Sequence, residues 1–173
     1  MTPEADEPSD YETLYRTHHA HVLRLCRLLL KDPHEADDVS QEVFLKLLRE
    51  HAANGRAMVW RAWLTRVTVN ACRDRRRSGW WKRWRERHTE FQEDGFASSA
   101  MSPERAALGA ELREQIWDSF RTLSARQREI FVLRMVEGWS TEQVAETLGL
   151  SAGSVKRHLF RAVHHLRTAL RGQ

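Results

Sequence analysis

Apolar residues recur at helical spacing along almost the whole chain, and no segment alternates like a strand for long. Tyr11 to Lys31 reads as a first helix with Leu14, Val22, Leu25, Cys26 and Leu29 inward. Asp32-Pro33 restarts the chain, with Asp as N-cap, Pro at the first helical position and Glu35 in the first turn. The second helix runs to about His51 and is expected to bury Val39, Val43, Phe44, Leu47 and Leu48. Ala52 to Met58, holding Asn54-Gly55, reads as a loop. A third helix from about Val59 to Arg77 places Trp60, Trp63, Leu64, Val67 and Ala71 inward, and Ser78-Gly79 ends that pattern.

From Trp80 to Met101 the sequence is irregular, and its later Gly- and Ser-bearing part reads as an interdomain linker. Ser102-Pro103-Glu104 opens a new helix with Leu108, Leu112, Ile116, Trp117 and Phe120 on its apolar face. Ser124 to Gln127 is a capping box, followed by Ile130, Phe131, Leu133 and Val136, and Gly138 stops the helix. The prediction is an all-α protein of two small helical domains, residues 11–87 and 103–171, joined by a linker over 88–102.

The run from Ser140 to Arg161 adds chemistry to this outline. Ser140, Thr141, Glu142 and Gln143 form a capping box that opens a short helix, and Gly149 breaks it. Ser151 caps a second helix carrying Val155, Leu159, Ala162, Val163 and Leu166 at helical spacing. Small Ala145, Gly149, which permits a left-handed turn, and branched Val155 stand where a helix-turn-helix needs them. The solvent side of the second helix offers Lys156, Arg157 and Arg161, and no acid follows Ser151. A helix apolar behind and basic in front fits a DNA major groove; the plainer reading is a helical hairpin with a solvated face.

Charge sharpens the division of labour. The net charge of +4 over 173 residues is unevenly spread. Acids crowd the first twelve residues and Asp32 to Glu50, whereas Arg61 to Arg87 is densely basic against only Asp74 and Glu86. Such segregation points to one basic and one polyanionic partner. Two distant cysteines, Cys26 and Cys72, fall in apolar-periodic helices and read as small buried hydrophobes. The acidic N-terminus is not a secretory signal and no apolar window reaches membrane-span length, so a cytoplasmic protein without direct membrane insertion is expected.

Three constellations remain. Asp37, Asp38, Gln41 and Glu42 cluster on the second helix, with Asp38 and Glu42 four apart and so facing one way. They suit a docking face for a basic partner, a carboxylate metal site, or an ordinary solvated face; little on the third helix completes a metal site. On that third helix Trp60, Arg61, Trp63, Arg66, Asn70, Arg73 and Arg75 to Arg77 interleave rings and cations, a composition suited to melted DNA. The alternative is that Trp60 and Trp63 are core and the arginines coat a surface. The nine histidines include adjacent pairs that point apart on a helix, and no nucleophile, phosphate loop or metal set emerges. No catalytic residue, metal or cofactor is expected.

Taken together these residues resemble a bacterial sigma factor of the extracytoplasmic-function group, over Tyr11 to Leu170. Asp37-Asp38-Val39 with Gln41-Glu42-Val43-Phe44 is similar to the family's polymerase-binding helix in sigma domain two. Trp63-Leu64 with Val67, Asn70, Asp74 and Arg77 is similar to its promoter-melting helix. Leu123-Ser124 through Leu133-Arg134, Glu142 to Ala145, Gly149, and Val155 through Arg161-Ala162 are similar to domain four. The resemblance implies that core RNA polymerase is bound through its beta-prime clamp and beta flap, with Asp37, Asp38, Gln41, Glu42 and Phe44 on the clamp side. It implies minus-ten contacts from Trp60, Arg66, Asn70, Arg73, Arg76 and Arg77. It implies minus-thirty-five contacts from Thr141, Ser154, Lys156, Arg157, His158 and Arg161, and an anti-sigma factor as regulator. The stretch Trp80 to Arg87 belongs to no motif of that family.

The function this implies is promoter recognition, DNA melting and initiation by core polymerase, with no covalent chemistry by the chain itself. Two rivals come from other classes. A stand-alone helix-turn-helix regulator would bind DNA tightly alone and with two-fold symmetry. A metal-dependent nuclease built on Asp37, Asp38 and Glu42 would cleave strands.

Overall fold

A computed structural model describes residues 10–54, 59–85 and 103–171. Every regular element among them is helical, in the order α1 (Tyr11–Leu29), α2 (Pro33–Asn54), α3 (Trp60–Arg85), α4 (Pro103–Thr122), α5 (Ala125–Phe131), a π turn (Val132–Val136), α6 (Thr141–Leu148) and α7 (Ala152–Arg171). The chain divides into two compact units, residues 1–92 and 93–173. The span expected to be a linker, 88–102, lies outside the described residues.

In the first unit α1, α2 and α3 each pack on both others. Asp10 caps α1 by accepting from the Thr13 amide at 2.7 Å. Hydrogen bonds from Thr13, its side chain first and then its amide, hold the Asp10 carboxyl below the usual carboxylate range. Asp32 caps α2 by accepting from the His34 amide at 2.8 Å. The core is Leu14, Val22, Leu25, Cys26 and Leu29 from α1, Val39, Val43 and Leu47 from α2, and Leu64, Val69 and Cys72 from α3. Leu48 was expected among them and is instead 44% exposed. It lies one residue past buried Leu47, about 100° further round the helix, which carries it off the inward stripe. Val67, also expected inward, is only half-buried.

The third helix does not stop at Ser78-Gly79 but continues to Arg85. The Ser78 hydroxyl donates to the Arg75 carbonyl at 3.0 Å, so the serine joins the helix's own hydrogen bonding. A single helical glycine costs only about 1 kcal/mol, too little to end a helix whose earlier turns are anchored in a core.

In the second unit α7 is the common partner of α4, α5 and α6. Capping boxes open α5 at Ser124 and α6 at Ser140, as their spacing predicts. The helix after Ser124 is broken sooner than its periodicity suggests. The Glu137 amide donates to the Val132 carbonyl at 3.0 Å, five residues back, which inserts one residue into the turn. That extra residue rotates Val136 off the apolar stripe, leaving it exposed with Met135. The apolar face expected on α4 is only partly inward: Leu112 and Ile116 are 50% and 40% exposed, while Phe120 near its end and Leu123 just past it are buried. The side chain of Leu108 lies outside the described residues. No helix among the described residues is long and apolar enough to cross a membrane.

A buried polar contact crosses the first core. His21 Nε2 lies 3.0 Å from the Thr65 hydroxyl, joining α1 to α3. Burial, then repulsion from Arg61, Arg24 and His18, pushes the imidazole down from 6.5 to about 4. A histidine held neutral in the fold stabilises it above its unfolded pKa and loses that contribution as the unfolded chain begins to take protons. The part of the urea midpoint that His21 sets should therefore be constant above pH 6.5, fall between 6.5 and about 4, and level off below. His21→Gln keeps an amide for Thr65 but cannot titrate, and should flatten that segment; a variant curve parallel to wild type would assign the drop elsewhere.

Candidate functional surfaces

The acidic turn of α2 faces outward because Val39, Val43 and Leu47 face inward. Asp38, Gln41 and Glu42 are exposed, and Asp37 is half-buried beside them. Leu45 and Leu48, both exposed, continue the same side of the helix, so the acids border an apolar strip. Phe44 belongs to the other side. It is 4% exposed and meets the Tyr15 ring edge-on at 4.7 Å, with His19 stacked at 5.8 Å. Any part it plays in docking is to hold α2 against α1, since its ring is not offered to a partner.

The carboxylates are not isolated. Arg75 of α3 reaches across to hydrogen-bond Glu42, with Asp38 3.6 Å away. Arg27 of α1 lies 3.5 Å from Asp37. The stripe is thus flanked by arginines from both neighbouring helices, an arrangement that spacing along α2 could not reveal. At these exposures each pair contributes only about 0–1 kcal/mol, so the pairs orient the carboxylates more than they stabilise the unit.

The basic residues of α3 separate by direction. Arg66, Asn70, Arg73 and Arg77 fall four, three and four residues apart, on one helix face. Arg66, Asn70 and Arg77 are exposed and Arg73 is half-buried. Trp63, half-buried, extends that row by one turn. Two candidates leave the row. Trp60 is 3% exposed, packed edge-on against Trp63 at 5.8 Å and near His51 at 6.0 Å. Its ring supports the row from beneath and is not presented to a base. Arg76 points back to α1 and donates to the Leu29 carbonyl at 3.2 Å, satisfying one of the orphan acceptors at that helix's end. Residues 55–58 of the preceding loop and the side chains of Trp80 to Arg87 lie outside the described residues.

The helix-turn-helix is built as its spacing suggests. Gly149 is left-handed at φ 64°, and the Leu150 amide donates to the Ala145 carbonyl at 2.9 Å. Ser151 accepts from the Ser154 amide at 3.2 Å and so caps α7. Val155 and Ala162 are fully buried, which fixes the rotation of α7 and turns Lys156, Arg157 and Arg161 to solvent. Arg157 also reaches the Ser154 hydroxyl at 3.4 Å. His158 is half-buried, and burial followed by Arg161, Arg157 and Arg126 lowers its pKa, so its neutral form prevails at pH 7. Thr141 opens α6, half-buried. Trp139 is held in place by the Arg134 guanidinium, which donates to its carbonyl.

Sequence reading missed several residues. His18 and His21 sit on the Leu14–Val22–Leu25 stripe, a position that marks them as buried. Arg128 and Glu129 are buried under the second unit's surface, Glu129 paired with Arg126 at 2.9 Å, and no periodic signal distinguishes them from solvated charge. Phe160 is an aromatic on the basic side of α7, visible in sequence as an apolar residue off the apolar stripe.

Comparison with known proteins bears on all three surfaces. Residues 14–82 match the pattern of sigma-70 region 2, and residues 113–166 that of sigma-70 region 4. The chain is 34% identical to the ECF RNA polymerase sigma factor SigL of Mycobacterium tuberculosis, over 96% of this chain and 92% of the relative. It is 32% identical to an RNA polymerase sigma-E factor of Streptomyces avermitilis, over 95% of this chain and 87% of the relative. Among solved structures, the sigma factor RpoE in complex with the anti-sigma factor NepR from Bartonella quintana shares its fold. The TM-score is 0.70, at 18% identity, covering 94% of this chain and 97% of that one.

The arginines of α3 offer a direct check on this division. Arg76→Ala should lower the stability of the first unit by about 1 kcal/mol, the usual net value of one hydrogen bond, and Arg66→Ala should leave it unchanged. Chemical denaturation followed by tryptophan fluorescence measures both; equal losses, or none, would erase the distinction drawn between them.

Proposed function

The chain belongs to the extracytoplasmic-function group of sigma factors, and from that membership we propose which of its surfaces perform each step of initiation. It directs core RNA polymerase to promoters and takes part in opening them. The observation that carries the assignment is the separation of three faces by helix rotation: acids on α2, the Arg66–Asn70–Arg73–Arg77 row on α3, and the basic face of α7. With regions 2 and 4 both matched, in order, a stand-alone regulator is not favoured.

Asp37, Asp38, Gln41 and Glu42 meet the polymerase's beta-prime clamp, and the second unit meets the beta flap. Carboxylates already oriented by Arg27 and Arg75 keep further lone pairs for a partner's cations. The α3 row holds the opened minus-ten strand: guanidinium groups take phosphates, while the Asn70 amide reads a base edge. Arg157 and Lys156 enter the major groove of the minus-thirty-five duplex near the start of α7, with Thr141, Ser154, His158 and Arg161 around them. The chain performs no catalytic step of its own and acts in the cytoplasm. An anti-sigma factor holds it inactive by covering these faces; a sigma factor of the same fold has been solved in complex with an anti-sigma factor.

Transcription in vitro on genomic fragments, with purified core polymerase, should depend on adding this protein. The double substitution Asp38→Lys with Glu42→Lys places like charges across the docking interface and should weaken core binding at least tenfold. Unchanged affinity would remove the acidic turn from the interface.

Asn70→Ala should reduce strand opening more than initial promoter binding, because the row it belongs to meets unpaired bases. Permanganate footprinting reads the opening and a gel-shift assay the binding; normal opening in the variant would exclude Asn70 from melting.

A further inference from the structure

Phe160 is 71% exposed, the highest value among the large apolar side chains of the described residues. Burial of Val155 and Ala162 sets the rotation of α7, and that rotation puts Phe160 on the basic side, between Arg157 and Arg161 in sequence. It shares a stripe with Lys156 one turn before it and with His164 one turn after. The His164 ring stacks nearly parallel on it, with centroids 6.2 Å apart and planes 10° apart, so the aromatic ring has a defined seat on the helix surface. It lies about 12 Å along α7 from Ala152, within the span that a helix seated in the major groove offers to bases. Lys156, Arg157 and Arg161 around it are hydrogen-bond donors suited to phosphates or to guanine. Phe160 is not: it has no polar atom, and a phosphate or a base-edge acceptor would gain nothing from it.

The chemistry of the groove then narrows the choice. In duplex DNA the one apolar group that base pairs present in the major groove is the thymine C5 methyl. We propose that Phe160 is a specificity-determining residue that selects thymine in the upstream promoter element through its C5 methyl group. The proposal rests on the reading of α7 as the duplex-recognition helix. It adds a base identity to that reading, and an apolar contribution that salt does not screen. The competing occupant of an exposed phenylalanine on a basic face is a partner protein, and the test separates the two.

Holoenzyme made with the full chain is first used to select a preferred upstream element from a randomised duplex library. Absence of any preference would overturn the duplex-recognition reading itself. Each thymine of the selected element is then replaced by deoxyuridine, which removes only the methyl. At one or two positions wild-type holoenzyme should bind about fourfold more weakly, the loss expected for one buried methyl-sized group. Phe160→Ala should be nearly indifferent to the same replacement, and Phe160→Leu should keep part of the discrimination. Phe160 is exposed and Phe160→Ala leaves the core intact; an unchanged circular dichroism melt confirms it. A selected element without thymine, a wild type indifferent to deoxyuridine, or an equal loss in wild type and Phe160→Ala would overturn the proposal while leaving the recognition helix in place. Loss of binding to a protein partner but not of thymine preference would assign Phe160 to that partner instead.

Discussion

The core shared by α1, α2 and α3 governs the first unit, because a helix that buries one stripe has no freedom left to choose what its other faces present. Val39, Val43 and Leu47 pull one side of α2 inward, and the acids at 37, 38 and 42 must then lie outside. Leu64, Val69 and Cys72 do the same for α3 and leave the Arg66–Asn70–Arg73–Arg77 row outward. Burying such side chains contributes roughly 1.5–3 kcal/mol each, well above the 0–1 kcal/mol of an exposed ion pair. Packing therefore decides the rotation of each helix, and the charges adapt to it.

Within that frame the arginines of α3 divide between solvent and scaffold. Arg75 turns to α2 and Arg76 to the end of α1, while their neighbours at 73 and 77 share the outward row with Asn70. Successive residues on a helix point about 100° apart, so one basic run serves three directions. A shift of a single residue in register would turn an outward arginine toward the core and a scaffold arginine to solvent.

The second unit applies the same logic with a shorter lever. Val155 and Ala162 seat α7, and the capping of α6 by Ser140 and the left-handed Gly149 set the angle at which the two helices meet. The outward face of α7 is then a mixed surface of cations and the stacked rings of Phe160 and His164. Cations supply affinity for any duplex and salt dependence; discrimination has to come from groups that tell one base edge from another.

Much of this was legible in the sequence. The helices, both capping boxes, the Asp32 cap, the left-handed Gly149 and the basic face of α7 follow from local spacing and capping chemistry, which act within one or two turns. The acidic turn of α2 was visible as a face but not as a partner of Arg27 and Arg75. Those pairs join residues that only the packing of three helices brings together, and no local pattern carries that information. The same holds for Arg76, spent on the α1 terminus, whereas the inward places of Trp60 and Phe44 follow from helical spacing. Leu48 and Val136 lie outside the stripes that spacing predicts, because one step of rotation or one inserted π residue moves a side chain from core to solvent. Local chemistry determined which segments are helices and where they begin; the tertiary core alone decided which face of each is inside, because burial is a property of neighbours distant in sequence.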